Sequence, residues 1–161
     1  IVMIITKASR TTHESVPSLA IGELLKRSPD LIRSKTVLIA GVAFKGFPET
    51  DDTRGSLAFS LISDLKKRIP GVGVYTLDPM VPASRLPSEL RSNHLTSLYS
   101  WSFSPELVIL QHDGITTEKA LLESKERLAD AVIFDFWGKF GQSFDGPIGR
   151  EYYAFGGSHV D

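Results

Sequence analysis

The chain has 161 residues, 42% of them hydrophobic and 23% charged, and its formal net charge is −1. This suits one domain with a real core and argues against binding to nucleic acid by bulk charge; the one basic run, Lys66 to Arg68, reads as a solvated helix face. The absence of cysteine removes disulfides, thiolate metal sites and a cysteine nucleophile, and no apolar run approaches the length of a membrane span.

The chain begins at Ile1 rather than Met, so a fragment or processed product is expected; without a signal-peptide pattern, the cytoplasm is the default compartment. Residues 1–28 are predicted to be helical with a break near Pro17, and apolar residues from Ser18 to Leu25 recur at helical spacing. A turn at Ser28, Pro29 and Asp30 precedes a first strand from Thr36 to Phe44. That run is almost wholly apolar and rich in small and β-branched residues, as a strand buried on both faces requires. Lys45 to Gly55 is a charged loop. Ser56 is the expected N-cap of a helix whose apolar face is Leu57, Ala58, Leu61, Ile62 and Leu65, ending near Pro70 and Gly71.

A second strand, Val72 to Leu77, is stopped by Asp78-Pro79. Pro79 to Pro105 reads as loop with a short helix near Ser88 to Ser92. A third strand from Leu107 to Leu110 and a helix from Thr116 to Leu128 follow. Ala131 to Phe136 is the fourth strand, Gly138 to Gly149 a glycine-rich stretch, and Tyr152 to Phe155 a short fifth strand. The alternation implies an α/β, Rossmann-like three-layer domain with a mainly parallel sheet, right-handed crossovers and an N-terminal helical segment.

The charged loop after the first strand then lies at the carboxyl edge of the sheet, where open parallel sheets bind ligands. It is neither common nucleotide fingerprint. After Gly41 the next glycine is Gly46, which fails G-x-G-x-x-G, so NAD is not expected here. Gly41 and Gly46 have P-loop spacing, but Phe47 stands in place of the lysine. Lys45 reads as a positioned cation able to donate to a sugar hydroxyl, carboxylate or phosphate oxygen; the competing reading pairs it with Glu49, Asp51 or Asp52. Asp51 and Asp52 are adjacent and point apart, so they suit loop structure better than acid–base work, and one is expected to pair with Arg54 or accept loop N–H groups. Arg54 could otherwise reach a phosphate. Gly46, Pro48 and Gly55 are assigned to backbone conformation. His13, His94, His112 and His159 share no metal-ligand spacing, so no metal is expected. His112-Asp113 ends the third strand and reads as a turn before a ligand contact, and no G-x-S-x-G elbow supports a serine hydrolase.

The stretch GVAFKGFPETDDTRGSLA resembles the signature of the C-terminal, nucleotide-binding domain of the UDP-glucose/GDP-mannose dehydrogenase family. Ala43-Phe44-Lys45 matches its AFK-type strand end, and Asp51 to Ser56 its DDxRxS-type segment. Residues 10–17 are similar to the R-x-x-N-[DE]-x-x-P pattern closing the family's central helix, with His13 in place of asparagine. Residues 74–79 resemble the second strand with its DP ending, and residues 132–135 a late strand ending in aspartate. The resemblance implies a helical segment over 1–28 and a nucleotide-sugar-binding domain over 29–161.

It implies further that Phe44 packs on a bound UDP-type sugar and Lys45 hydrogen-bonds it, with Gly46 and Arg54 beside them and Asp51, Asp52 and Asp135 shaping the loops. Where the family commonly carries an arginine two residues after that late aspartate, this chain has Trp137, a candidate for stacking. Family members oxidise a sugar C6 alcohol to a carboxylate with NAD, through a cysteine thioester and with N-terminal and central domains; this chain has neither the cysteine nor the NAD fingerprint. The expectation is a substrate-binding domain, a UDP-sugar as partner, and NAD bound elsewhere in a full-length enzyme. A non-catalytic self-association module, forming a homodimer through the N-terminal helix, is the alternative. An unrelated Rossmann-like enzyme acting on a small phosphorylated substrate is a third reading, and it lacks a recognisable nucleophile or base.

Overall fold

A computed structural model describes residues 2–99, 101, 102, 104–142 and 148–155, the side chains of residues 2–14 and 142 excepted. The expectations for Arg10, His13 and His159, and for part of the glycine-rich stretch, lie outside the described residues. Six strands form one sheet in the order β3-β2-β1-β4-β5-β6, with every neighbouring pair parallel. They are β1 (Thr36–Ala40), β2 (Gly73–Leu77), β3 (His94–Leu95), β4 (Leu107–Leu110), β5 (Val132–Asp135) and β6 (Glu151–Ala154). The helices are α1 (Val2–Arg27), α2 (Leu57–Arg68) and α3 (Ile115–Leu122).

The period of two along each strand builds two cores. Val37 and Ile39 of β1, with Leu107, Ile109, Val132 and Phe134, pack against Ala20, Ile21 and Leu24 of α1 and Ala58, Leu61 and Leu65 of α2. Their neighbours Leu38, Ala40, Val108, Leu110 and Ile133 face the other way, onto Ala120 and Leu121 of α3, Leu128 and Trp101. This is the expected three-layer α/β fold. Ser56 caps α2, its Oγ accepting from Ala58 N at 3.2 Å. Ser56→Ala is expected to cost about 1 kcal/mol of stability, read as a lower urea midpoint with an unchanged slope.

Several boundaries differ from the sequence reading. The helix is not broken at Pro17: α1 runs through it, because the following turns are fastened to α2 by burial of Ala20, Ile21 and Leu24 and by Arg68, whose guanidinium donates to Ser18 O and Oγ. β1 ends at Ala40 rather than Phe44, since Gly41 turns the chain with φ +88°. The helix expected to reach Leu128 stops at Leu122 and is followed by a separate 3-10 turn, Lys125–Leu128. The serine-rich stretch holds a 3-10 turn at Ser88–Asn93, as expected of a short helix there, and also an unforeseen two-residue strand, β3. A side-chain clamp holds β3: His94 Nε2 donates to Val81 O at 2.7 Å, leaving Nδ1 to accept from Thr76 Oγ1 at 2.8 Å. No described helix is long and apolar enough to cross a membrane.

Candidate functional site

Chain order reverses between β1 and β4, so the crevice at their carboxyl ends is the topological switch point of the sheet. The large apolar side chains left exposed gather on this side. Phe44 and Phe47 follow β1, Met80 follows β2, Tyr99 follows β3, Ile115 follows β4 and Trp137 follows β5; Leu19 and Ile32 are the exceptions among the described residues.

The chain leaves β1 through an elbow formed around Asp78. This aspartate ends β2 and is 1% exposed. Its Oδ2 accepts from Val42 N at 2.8 Å, Ala43 N at 3.0 Å and His112 Nε2 at 3.2 Å, while Oδ1 accepts from Met80 N at 3.0 Å. Burial pushes the carboxyl up, but the bonds from His112, Ala43 and Val42 outweigh it and hold Asp78 below the usual carboxylate range. His112 Nδ1 accepts from Gly114 N at 3.1 Å, so its proton sits on Nε2, facing Asp78. Gly41 admits this arrangement: a Cβ there would stand 2.7 Å from the imidazole. Gln111, with its amide oriented to satisfy its neighbours, donates to Gly41 O and Ala43 O at 3.1 Å each. By sequence, Asp78 reads as a strand terminator and His112 as a turn residue; the structure makes them one buried pair. The signal available is two polar residues just past two apolar strands, which the fold places on either side of β1.

Beyond the elbow, Phe44 is 43% exposed and its N–H donates to Asp52 O at 2.9 Å. Lys45 Nζ lies 5.2 Å from the centroid of the Phe44 ring and has no carboxylate within 4.0 Å among the described residues. The acids that could have paired with it are engaged elsewhere. Glu49 Oε1 accepts from Thr116 N at 2.8 Å and Thr116 Oγ1 at 2.5 Å, at the start of α3. Asp52 takes the Arg54 guanidinium on both oxygens and Arg54 N on Oδ1, and this contact holds its carboxyl down at about 2. Asp51 faces Arg85 at 3.0 Å, a partner the sequence does not suggest. Gly46 is buried against the β4–α3 turn, and the space bounded by Lys45, Gly46, Glu49, Asp78, His112 and Thr116 is too tight for water. The open volume lies outside it, in a cleft of about 600 Å³ lined by residues 50–54 and Arg85. A second cleft, of about 370 Å³, is at the opposite edge of the sheet around Asp30, Glu106 and Arg150; its Arg150 is already paired with Asp30.

At the tip of β5, Asp135 is fully buried and accepts from Trp137 N, Phe140 N and Tyr152 Oη, at 2.8, 3.0 and 2.6 Å. Burial, then this carboxylate, pushes the Tyr152 phenol up. Lys139 pairs with Asp113 at 2.5 Å and holds that carboxyl below its usual range. The structure thus brings Phe44, Lys45, Gly46 and Asp52 together at the β1 tip, sets Arg54 on the outer rim, and places Asp135 two strands away. Glu49 and His112 take up N–H groups at the start of α3. Among the described residues no group of three His, Cys, Asp or Glu could hold a metal ion.

Residues 38–142 match the family model described as UDP-glucose/GDP-mannose dehydrogenase family, UDP binding domain. No curated protein matches the chain. Among solved structures, the chain is similar to the UDP-N-acetyl-mannosamine dehydrogenase Cap5O from S. aureus, with 21% identity, a TM-score of 0.59, and coverage of 88% of this chain and 31% of that one. It is equally similar to a UDP-D-ManNAc dehydrogenase from Pyrococcus horikoshii, with 21% identity, a TM-score of 0.59, and coverage of 89% and 31%. At this identity the two structures speak for the fold, and the chain spans about a third of their length. Because the matched residues 38–142 make up more than half of the chain and include the crevice loops, the chain belongs to the UDP-glucose/GDP-mannose dehydrogenase family, within its UDP binding domain.

Proposed function

We propose that this chain is the C-terminal substrate-binding domain of a cytoplasmic, NAD-dependent nucleotide-sugar 6-dehydrogenase of polysaccharide biosynthesis. Its task is to hold the UDP-type half of the substrate while other domains oxidise the sugar C6 alcohol to a uronic acid. The observation that carries this reading is Lys45: an ammonium without a carboxylate partner among the described residues, beside an exposed ring, at the switch point of the sheet. Such a cation is available to phosphate or sugar oxygens, and Phe44 offers an apolar face next to it. Asp51, Asp52 and Asp135 act as loop supports, Gly46 seats the loop, and Arg54, held by Asp52, stands at the rim, where reaching the diphosphate would require it to leave that carboxylate. Binding energy from the nucleotide, remote from the reacting carbon, would orient the sugar for the chemistry of the remaining domains. The hydride acceptor would be NAD held by those other domains.

Calorimetric titration with UDP-glucose tests the proposal. Lys45→Ala is expected to weaken binding about tenfold while leaving the unfolding midpoint unchanged. A binding constant indifferent to Lys45 would remove this site from the substrate path.

A further inference from the structure

Trp137 and Trp101 are the two tryptophans of the chain, and their environments are opposite. Trp101 is 3% exposed in the core, whereas Trp137 is 55% exposed at the carboxyl end of β5. An exposed tryptophan is ordinarily free to turn, but this one is tied down twice. Its backbone N–H donates to Asp135 Oδ1 and its indole Nε1–H donates to Gln111 O, both at 2.8 Å. The carboxylate that holds it is itself fixed by Phe140 N and Tyr152 Oη. The one hydrogen-bonding group of the indole is therefore used inside the protein, and what remains for a ligand is π surface in a set orientation.

The charges around it sort the ligand further. Lys139, the nearest cation in sequence, is neutralised by Asp113, so among the described residues this corner offers no spare positive charge. At the tip of β1, Lys45 has no carboxylate within 4.0 Å among the described residues. Two interstrand steps separate the tips of β1 and β5, about 10 Å, within the span of one nucleoside diphosphate sugar. The two tips are also joined through β4: Trp137 is bound to Gln111 O, and the Gln111 amide donates to Gly41 O and Ala43 O of the β1 elbow.

We propose that Trp137 is a pre-organised stacking platform for a neutral ring of the ligand whose phosphates lie at Lys45. The inference rests on the nucleotide-sugar reading and adds a specificity-determining residue to it. The charge placement puts the anionic part of the ligand at β1 and an uncharged ring, sugar or base, at β5. Because the ring is fixed before the ligand arrives, stacking costs little ordering entropy.

The test uses the full-length protein and its own fluorescence. Emission of wild type minus that of Trp137→Phe isolates Trp137, and acrylamide quenching of that difference reads its exposure. UDP-glucose is expected to shield Trp137. Shielding by UDP as well assigns the platform to the base; shielding by UDP-glucose alone assigns it to the sugar. Trp137→Leu should raise the dissociation constant about five- to tenfold, with Trp137→Phe, which keeps a ring, lying closer to wild type. Equal weakening by Phe and Leu would trace the effect to the lost Gln111 anchor and overturn the platform. Calorimetric binding of UDP-glucose with unchanged quenching of Trp137 would also overturn it. Absence of binding by calorimetry would instead sink the nucleotide-sugar reading itself.

Discussion

Asp78→Asn is expected to lower stability at neutral pH by about 3 kcal/mol, although it changes neither size nor shape. The two carboxylate oxygens receive four donors: Val42 N, Ala43 N and His112 Nε2 on one, Met80 N on the other. An asparagine keeps one oxygen. Its NH₂ must then face donors on the other side, leaving buried N–H groups opposed and unpaired. The pH dependence carries a definite sign. Asp78 has a folded-state pKa below its unfolded value, so its contribution is full above the usual carboxylate range and fades as the pH falls through it. The gap between wild type and Asp78→Asn in urea denaturation should therefore narrow below about pH 4. A gap independent of pH would mean that the charge of Asp78 does not hold the elbow together. Since the elbow carries Phe44 and Lys45, the variant should also bind UDP-glucose more weakly at temperatures where it remains folded.

Gly46→Ala is the second large effect, expected to cost about 3 kcal/mol. A Cβ at this position would lie 2.3 Å from Gly114 N and 2.6 Å from Asp113 C, and both are backbone atoms that cannot swing away. The motif loop or the β4–α3 turn must shift, and the turn includes the N–H that Gly114 gives to His112. Gly55, further along the same loop, provides the control. It has φ +76°, and a Cβ added there would meet nothing within 4 Å, so Gly55→Ala costs only conformational strain, about 1 kcal/mol. Equal losses for the two variants, measured as urea midpoints, would contradict close packing of the loop against Gly114. The reason for Gly46 is thus contact, since its φ is not positive.

These two residues also show where sequence reading reaches and where it stops. The strands β1, β2, β4 and β5 announce themselves as short apolar runs between turn signals, and the alternation with helices makes a parallel three-layer sheet the natural outcome. The two residues of β3 carry no such pattern; they pair with β2 because the His94 ring is clamped between the Thr76 hydroxyl and the Val81 carbonyl, groups 18 and 13 positions away in the chain. Pro17 is a reasonable helix break by local rules, and packing on α2 overrides it. In the crevice, Phe44 and Lys45 are legible through position at a strand end and through the family resemblance. Asp78 is not, because its value lies in donors that are 34 to 36 positions away and only fold topology brings together. Glu49 reads as a possible partner of Lys45, but the free N–H at the start of α3 is the stronger attraction.

The central claim is that ligand is held at the tip of β1. Amide chemical-shift mapping of the isotope-labelled protein during titration with UDP tests it most directly. The expected result is a set of perturbations centred on Phe44, Lys45 and Gly46 and extending to the Trp137 indole N–H. Perturbations confined to the opposite edge, around Asp30, Arg33 and Arg150, with the β1 tip unmoved, would contradict it.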